Sequence, residues 1–324
     1  MTPIFKIDIG GKDYTAKVMD RLVELRLVDI AGWKSDYMEL VLDDRESIKR
    51  PTHGAELILH IGYVGEPLIK KGTYIHDETE FSGPPKQMTL RAAAINFREK
   101  LKAPRTRSFD DVTLGGLVAG IAGEHGYSAY VDDFLKDITI PHIDQTTESD
   151  LRLLTRLGAQ YDALFKAAGT SLILVPKGGK KSDAVKDALG SITLTPEDVT
   201  SWRIPRQDKS RYSGVRAYWY DYGAAKLDSV LAGDDSGNVR ELPTQYPNKE
   251  EAWQAANAKL ERLNRSKADA SITLPGNPSL KAEGGLTLQG FREGVDDEYT
   301  ITRVEHIYTK RGGYKSKVEA ELSR

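Results

Sequence analysis

The chain has 324 residues, 39% of them hydrophobic and 29% charged, with 46 Lys and Arg against 48 Asp and Glu for a net charge of -2. That length suits two or three domains, the composition excludes wholesale disorder, and the balanced charge excludes a global field able to hold nucleic acid or an anionic membrane. There is no cysteine, which removes disulfides, thiolate nucleophiles and cysteine-ligated metals together.

No apolar run approaches the roughly 20 residues of a bilayer span, and Met1 to Lys6 lacks the regions of a secretory signal, so a cytoplasmic, folded protein is expected. The first hundred residues read as consecutive strands. Phe5, Ile7 and Ile9 alternate with polar residues, Gly10-Gly11 supplies a turn, and Tyr14, Ala16 and Val18 alternate again, which predicts a hairpin. Period-2 runs recur at Val23–Leu27, Met38–Leu42, Leu57–Tyr63, Gly72–Phe81 and Gln87–Ala94, the last two separated by Gly83-Pro84-Pro85, which cannot continue a ladder. Residues 1–95 are therefore expected to form a first β-barrel-like domain.

The period then changes to that of helices. Leu114, Leu117, Val118, Ile121, Ala122 and His125 share one face, with Gly126 as C-terminal cap, and a second stripe carries Leu151, Leu154, Leu157 and Tyr161. Ala163 to Pro176 reads as two short strands about a turn at Ala168-Gly169-Thr170, so 96–188 is an inserted α+β domain that ends in a polar connection beginning at Pro176. Strands resume in 189–324, a second β-barrel-like domain. In its VRAYWYDY run (Val215 to Tyr222) both faces are expected to meet protein. A helix at about 248–266 interrupts it, with Asn248 and Glu251 as a capping box and Trp253, Ala256, Leu260 and Leu263 as its apolar stripe. The fold class is mainly β with an α+β insert: two β-barrel-like domains, a small α+β domain and a helical insertion.

Searches for chemistry end in structural readings. Glu124-His125 and Glu305-His306 lack the second His of a zincin, and His125 reads as a packed or capping residue. Lys177 to Ser182 fails as a phosphate loop, and Gly115, Gly116, Gly120 and Gly123 read as helix-packing positions. Asp234 to Asn238 reads as a turn rather than a calcium loop, and the adjacent pairs Asp132-Asp133 and Asp296-Asp297 diverge. The one basic concentration, Arg91, Arg98, Lys100, Lys102, Arg105 and Arg107, reads as a solvated connector. Catalytic, cofactor-binding and metal sites are all expected to be none, and the chain is not expected to be an enzyme.

The C-terminal stretch from Tyr299 through Glu305-His306, Gly312-Gly313-Tyr314 and Lys317 to Leu322 resembles the closing signature of the phage late-control protein D family, the baseplate hubs of contractile tails. Leu274-Pro-Gly-Asn-Pro-Ser-Leu280, Gly290-Phe291, Glu148 to Leu151, Leu164 to Lys166, Gly62-Tyr63, Gly72 to Tyr74 and Ser82 to Pro85 continue the resemblance in order over nearly the whole chain. It extends to the N-terminal part of type VI secretion spike proteins. The resemblance implies a homotrimer in which two barrels per subunit form a pseudo-sixfold ring, adapting the six-fold tail tube to a three-fold central spike. Implied partners are the spike, the tube, other baseplate proteins and the tape measure protein, with no stable nucleic-acid or membrane binding. The implied location is the virion baseplate, after assembly in the host cytoplasm. Two other readings compete with it: a tail-associated cell-wall hydrolase or peptidoglycan-binding module centred on 96–176, and a transcriptional regulator, which the balanced charge disfavours.

Overall fold

A computed structural model describes residues 2–32, 36–94, 99–168, 171–176, 190–205, 212–264 and 269–323. The chain divides into two compact units, the first made of Met1–Phe97, Lys186–Ile204 and Asp269–Glu321, the second of Arg98–Val185, Pro205–Ala268 and Leu322–Arg324.

In the first unit, the N-terminal part comprises β1 (Pro3–Ile9), β2 (Lys12–Asp13), α1 (Thr15–Arg21), β3 (Leu22–Ile30), β4 (Tyr37–Asp43), β5 (Glu56–Tyr63), β6 (Ile69–Ser82) and β7 (Gln87–Ala94). Its strands run in the order β3-β4-β7-β6-β5-β1-β2. Period-2 alternation puts Leu25, Leu27, Met38, Leu40, Leu57, Leu59, Met88 and Leu90 on one face, where all are essentially inaccessible. Register irregularities at Leu22/Glu24, Leu59/His60 and His76/Glu78 bend the strands and curl the sheet about that core.

One expected strand is a helix. The Gly10-Gly11 turn forms, but the ladder stops at Asp8↔Asp13, and the residues carrying Ala16 and Val18 coil into α1. Side chains divert the backbone: Asp13 Oδ1 accepts the Thr15 N–H at 2.8 Å, and Thr15 Oγ1 accepts the Ile7 N–H at 3.0 Å. Val18 then reaches the core from a helix.

The second unit opens with α2 (Glu99–Lys102), β8 (Pro104–Thr113), α3 (Leu114–Glu124), β9 (Ser128–Val131), α4 (Asp133–Lys136), β10 (Thr139–Ser149), α5 (Asp150–Gln160), β11 (Ala163–Ala168) and β12 (Ser171–Pro176). β8 and β10 form a two-stranded antiparallel ribbon. β11 and β12 pair antiparallel as expected, and β12 runs parallel to β9. Residues 169–170 and the connection at 177–189 lie outside the described residues, as does the Lys177 to Ser182 segment. Thr113 and Ser149 cap α3 and α5, and Gly126 takes a φ of 73° after α3. Of the glycines in α3, Gly115 serves packing between elements, where a Cβ would stand 2.9 Å from the Lys136 carbonyl, and a Cβ at Gly116 would crowd the capping Thr113 Oγ1 at 3.1 Å, whereas Gly120 and Gly123 face open space.

The chain returns to the first unit with β13 (Ser191–Leu194), a 3-10 turn at Pro196–Asp198 and β14 (Ser201–Arg203), then leaves it for β15 (Gly214–Asp221), β16 (Lys226–Gly233), β17 (Val239–Tyr246) and α6 (Lys249–Asn264). These last four elements group with the second unit, so the run 189–324 is interrupted, where the sequence suggests a continuous second barrel. The cause is hydrogen bonding: among the described residues β15, β16 and β17 pair with one another alone, as a separate sheet in the order β16-β15-β17. α6 covers one face of it. Val215, Ala217, Val230 and Ala232 are buried there, while Tyr220 and Tyr222 on the hairpin are 38% and 82% exposed within the single chain. Asn248 caps the helix, its Oδ1 accepting the Glu251 N–H at 2.9 Å, while the Glu251 carboxylate accepts from the Asn248 side-chain amide rather than from the backbone N–H that a full capping box would use. The helix packs through Ala252, Ala255 and Ala256, whose small side chains let it lie close to the sheet, and Trp253 is left half-exposed.

Back in the first unit, β18 (Asp269–Pro275), β19 (Gly285–Leu288), β20 (Glu298–Thr309) and β21 (Gly313–Leu322) join β13 and β14 as a second β module. β20 connects the modules. Its first residues pair with β19, and Arg303–Thr309 pair antiparallel with Ile30–Glu24 of β3, making one continuous curled sheet in the order β14-β18-β21-β20-β3-β4-β7-β6-β5-β1-β2.

Candidate functional site

The joint of the two modules holds a connected set of buried and part-buried polar groups. The loop after β18 lies across it. Tyr63 of β5 donates its hydroxyl to the Gly276 carbonyl, and the Gly276 N–H donates to the Tyr314 carbonyl at 3.0 Å. Asn277 N–H donates to Ser316 Oγ at 2.9 Å, and Lys71 Nζ donates to the carbonyls of Pro278 and Leu280, both at 2.9 Å. The Ala282 N–H reaches Asp29 Oδ2 at 2.9 Å, and Glu283 Oε1 accepts the Gly32 N–H at 2.8 Å. Residues 276–283 are thus fastened to strands from both halves of the sequence.

His306 lies behind this loop. Its Nε2 faces the Leu280 carbonyl at 3.3 Å, which can only accept, so Nε2 carries the proton and Nδ1 accepts from the Tyr314 hydroxyl at 2.7 Å. Burial, reinforced by the charge of Lys71, pushes its pKa down to about 3, so the ring is neutral. Burial likewise lowers Lys71 to about 8, opposed by Asp29. The Tyr314 ring packs against Tyr63 and His306 with centroids 6.0 and 5.9 Å away. Gly276 is obligatory beside it, since a Cβ there would stand 2.0 Å from Tyr314 Cδ1. Neutral imidazole, phenol and backbone carbonyls, all mutually bonded, form a fastener rather than a reactive centre.

The second unit contains the cluster with metal-ligand chemistry, Glu124, His125 and Asp150. Asp150 is fully buried at the start of α5. Its Oδ1 accepts from Arg107 Nη2 at 2.7 Å and Gln145 Nε2 at 2.8 Å, and its Oδ2 from His125 Nε2 at 2.7 Å. Burial would raise its pKa, but hydrogen bonds from His125 and Gln145 and the charges of Arg107 and Arg105 hold it below the usual carboxylate value. Glu124 is bonded to both Arg105 and Arg107. Two guanidiniums already supply the positive charge that a cation would bring, so the donor set fits an ion-pair brace between β8, β10, α3 and α5. His125 is packed within this brace.

The remaining sequence candidates disperse. Arg91 belongs to the first unit, within 3.5 Å of Glu39, Glu78 and Glu80, while Arg105 and Arg107 serve the Asp150 brace, so the basic run is not one patch. Arg98 and the side chain of Lys100 lie outside the described residues. Asp132 caps α4, Asp234 closes its turn on Ser236, and Asp296 accepts the N–H groups of Gly290, Phe291 and Arg292. Lys71, Asp29 and Glu283 escaped sequence reasoning. For Lys71 and Asp29 the signal was a charged residue within a strand, whereas Glu283 lies in the turn before β19 and gave none.

Comparison with known proteins assigns this architecture. The model of the phage tail baseplate hub (GPD) family matches residues 72–312. The chain belongs to the phage tail baseplate hub family. It is 31% identical to the probable baseplate hub protein of Escherichia phage 186, over 99% of this chain and 93% of that one. Its fold is that of a tail protein from Neisseria meningitidis, with a TM-score of 0.72 at 11% identity, over 99% of this chain and 97% of the other. It also resembles a chain of the Francisella PdpA-VgrG complex, with a TM-score of 0.59 at 9% identity, over 99% of this chain and 53% of that one. Several segments that carry the family resemblance in sequence meet at the hub's module joint: Gly62-Tyr63, Leu274 to Leu280, His306 and Tyr314. Glu148 to Leu151 contains the buried Asp150 of the brace.

Proposed function

We propose that this hub acts as a homotrimer that adapts a six-fold tail tube to a three-fold central spike in a contractile tail, without catalysis. The observation that carries the reading is the first unit itself, two curled β modules made continuous through β20 and β3. A six-fold tube cannot bond equivalently to a three-fold spike unless an intermediate presents six similar surfaces on one side and three on the other, and three copies of a two-module subunit meet that requirement. The sheet path also ends at β14 on one side and at β1 and β2 on the other. Such terminal edges are normally protected by association.

In this reading, 1–97, 186–204 and 269–321 form the ring, and the second unit serves the remaining baseplate contacts. Spike, tube, neighbouring baseplate proteins and the tape measure protein are the proposed partners, met during assembly in the host cytoplasm. The wall-hydrolase alternative gains nothing from Asp150, a fully buried carboxyl group of the second unit that hydrogen bonds and arginines hold ionised, so that it cannot serve as a general acid. Light scattering and negative-stain microscopy, on the chain alone and co-expressed with its spike, test the proposal. A ring of about 108 kDa from three 35.9 kDa chains is expected. A monomer without rings in both preparations would refute it.

A further inference from the structure

A cleft of about 520 Å³ opens beside the module joint of the first unit. Tyr63 and Ile69 from β5 and β6 line one side, Ile192 and Leu194 from β13 another, and Glu66 and Glu197 stand on it as exposed carboxylates. Among the described residues neither glutamate has an ion-pair partner. Among the described residues, the strand that lines the cleft is paired along one edge, in parallel with β19 from Ser191↔Gly285 to Leu194↔Leu288. The carbonyls of Gly190 and Leu194 accept N–H groups from Gly285 and Gln289, at 2.9 and 3.0 Å. Alternate peptide groups therefore face β19, and those of Ser191 and Thr193 face the opposite way, with no strand opposite them among the described residues.

An unpaired strand edge, an apolar wall and unpaired carboxylates form a recognition mode when they coincide. Backbone groups add a strand, apolar walls take alternate side chains, and carboxylates select the charge of the others. The geometry points to β13 as the docking edge for an extended segment of a partner protein, one that alternates apolar residues with Lys or Arg. The apolar residues enter between Ile69 and Ile192, and the cations meet Glu66 and Glu197. The inference rests on the hub reading, because it gives the hub a peptide-capture surface.

The test uses the full chain, with its oligomeric state recorded by light scattering, and three blocked synthetic octapeptides. One alternates Val with Lys, one alternates Val with Glu, and one alternates Val with Lys but carries Pro at two central positions. With the Val/Lys peptide, hydrogen exchange at the Ser191 and Thr193 amides should slow by roughly tenfold or more, since these groups enter a ladder. The other two peptides should leave it unchanged. The double variant Glu66→Gln/Glu197→Gln, altered only at exposed side chains, should bind the Val/Lys peptide roughly three- to tenfold more weakly by fluorescence anisotropy, with exchange in β20 and β21 as in the parent. Absence of protection at millimolar Val/Lys peptide, equal protection by the Val/Glu peptide, or amides already protected in the free chain by a neighbouring copy would each overturn the inference. A trimer that ignores the peptide defeats this inference alone; a monomer that captures it defeats the trimer reading alone.

Discussion

Replacing Gly276 by alanine probes the module joint with one methyl group. The new carbon would stand 2.0, 2.2 and 2.4 Å from Cδ1, Cγ and Cε1 of Tyr314, where van der Waals contact requires about 3.5 to 4 Å. The loop cannot simply retreat, because the Gly276 N–H and carbonyl are bonded to the Tyr314 carbonyl and the Tyr63 hydroxyl. The ring cannot swing away without giving up its bond to His306 Nδ1 and its contacts with Tyr63 and His306. Overpacking costs about 1 to 3 kcal/mol, and loss of a buried hydrogen bond leaves an acceptor unsatisfied at about 1 to 3 kcal/mol more. The expected destabilisation of the first unit is therefore about 3 to 5 kcal/mol. With two units in the chain a single unfolding transition is not assured, so native-state hydrogen exchange of β20 and β21 is the appropriate assay. If the ring is the obstacle, Gly276→Ala and Tyr314→Ala should be strongly non-additive, with a coupling of about 2 kcal/mol or more. A Gly276→Ala cost below about 0.5 kcal/mol, or additivity of the two changes, would refute the reasoning.

His306 gives the first unit an acid sensitivity. Its native pKa of about 3 lies below the ordinary 6.5, so stability is fully present above pH 6.5 and is lost as pH falls toward 3. Between pH 6.5 and 5 the parent should lose about 1.6 kcal/mol that His306→Gln does not, measured by exchange in β20 at each pH. Asp150→Asn keeps the shape of the second unit's brace and removes its charge; it should cost that unit about 3 to 5 kcal/mol while β20 exchange stays at the parental rate, and any equal loss in both units would contradict the two separate cores. Trp253→Ala should change stability by less than about 0.5 kcal/mol, whereas Ala256→Leu should cost about 1 to 3 kcal/mol by overpacking the helix against its sheet. Thermal unfolding followed at the α6 amides distinguishes the two outcomes.

Local periodicity determined much of this protein without help from tertiary structure. Alternation at Leu25–Leu27, Met38–Leu42 and Leu57–Ile61 requires strands with one buried face, the stripes at Leu114–Ile121 and Leu151–Leu157 require helices, and Asn248 with Glu251 forms a helix start from atoms three residues apart. The absence of cysteine and the balanced charge are likewise properties of composition alone. Tertiary structure decided what depends on contacts between distant residues. Thr15 turns a strand into α1 by accepting the N–H of Ile7, and β15, β16 and β17 form a sheet of their own because, among the described residues, their strands pair with one another. Lys71 becomes a buried donor when residues 207 and 209 positions away bring their carbonyls to it. A strand's period tells which side chains turn inward and is silent about which strand lies alongside. The joint of β3 with β20, on which the hub's two-module architecture depends, is fixed by that partnership.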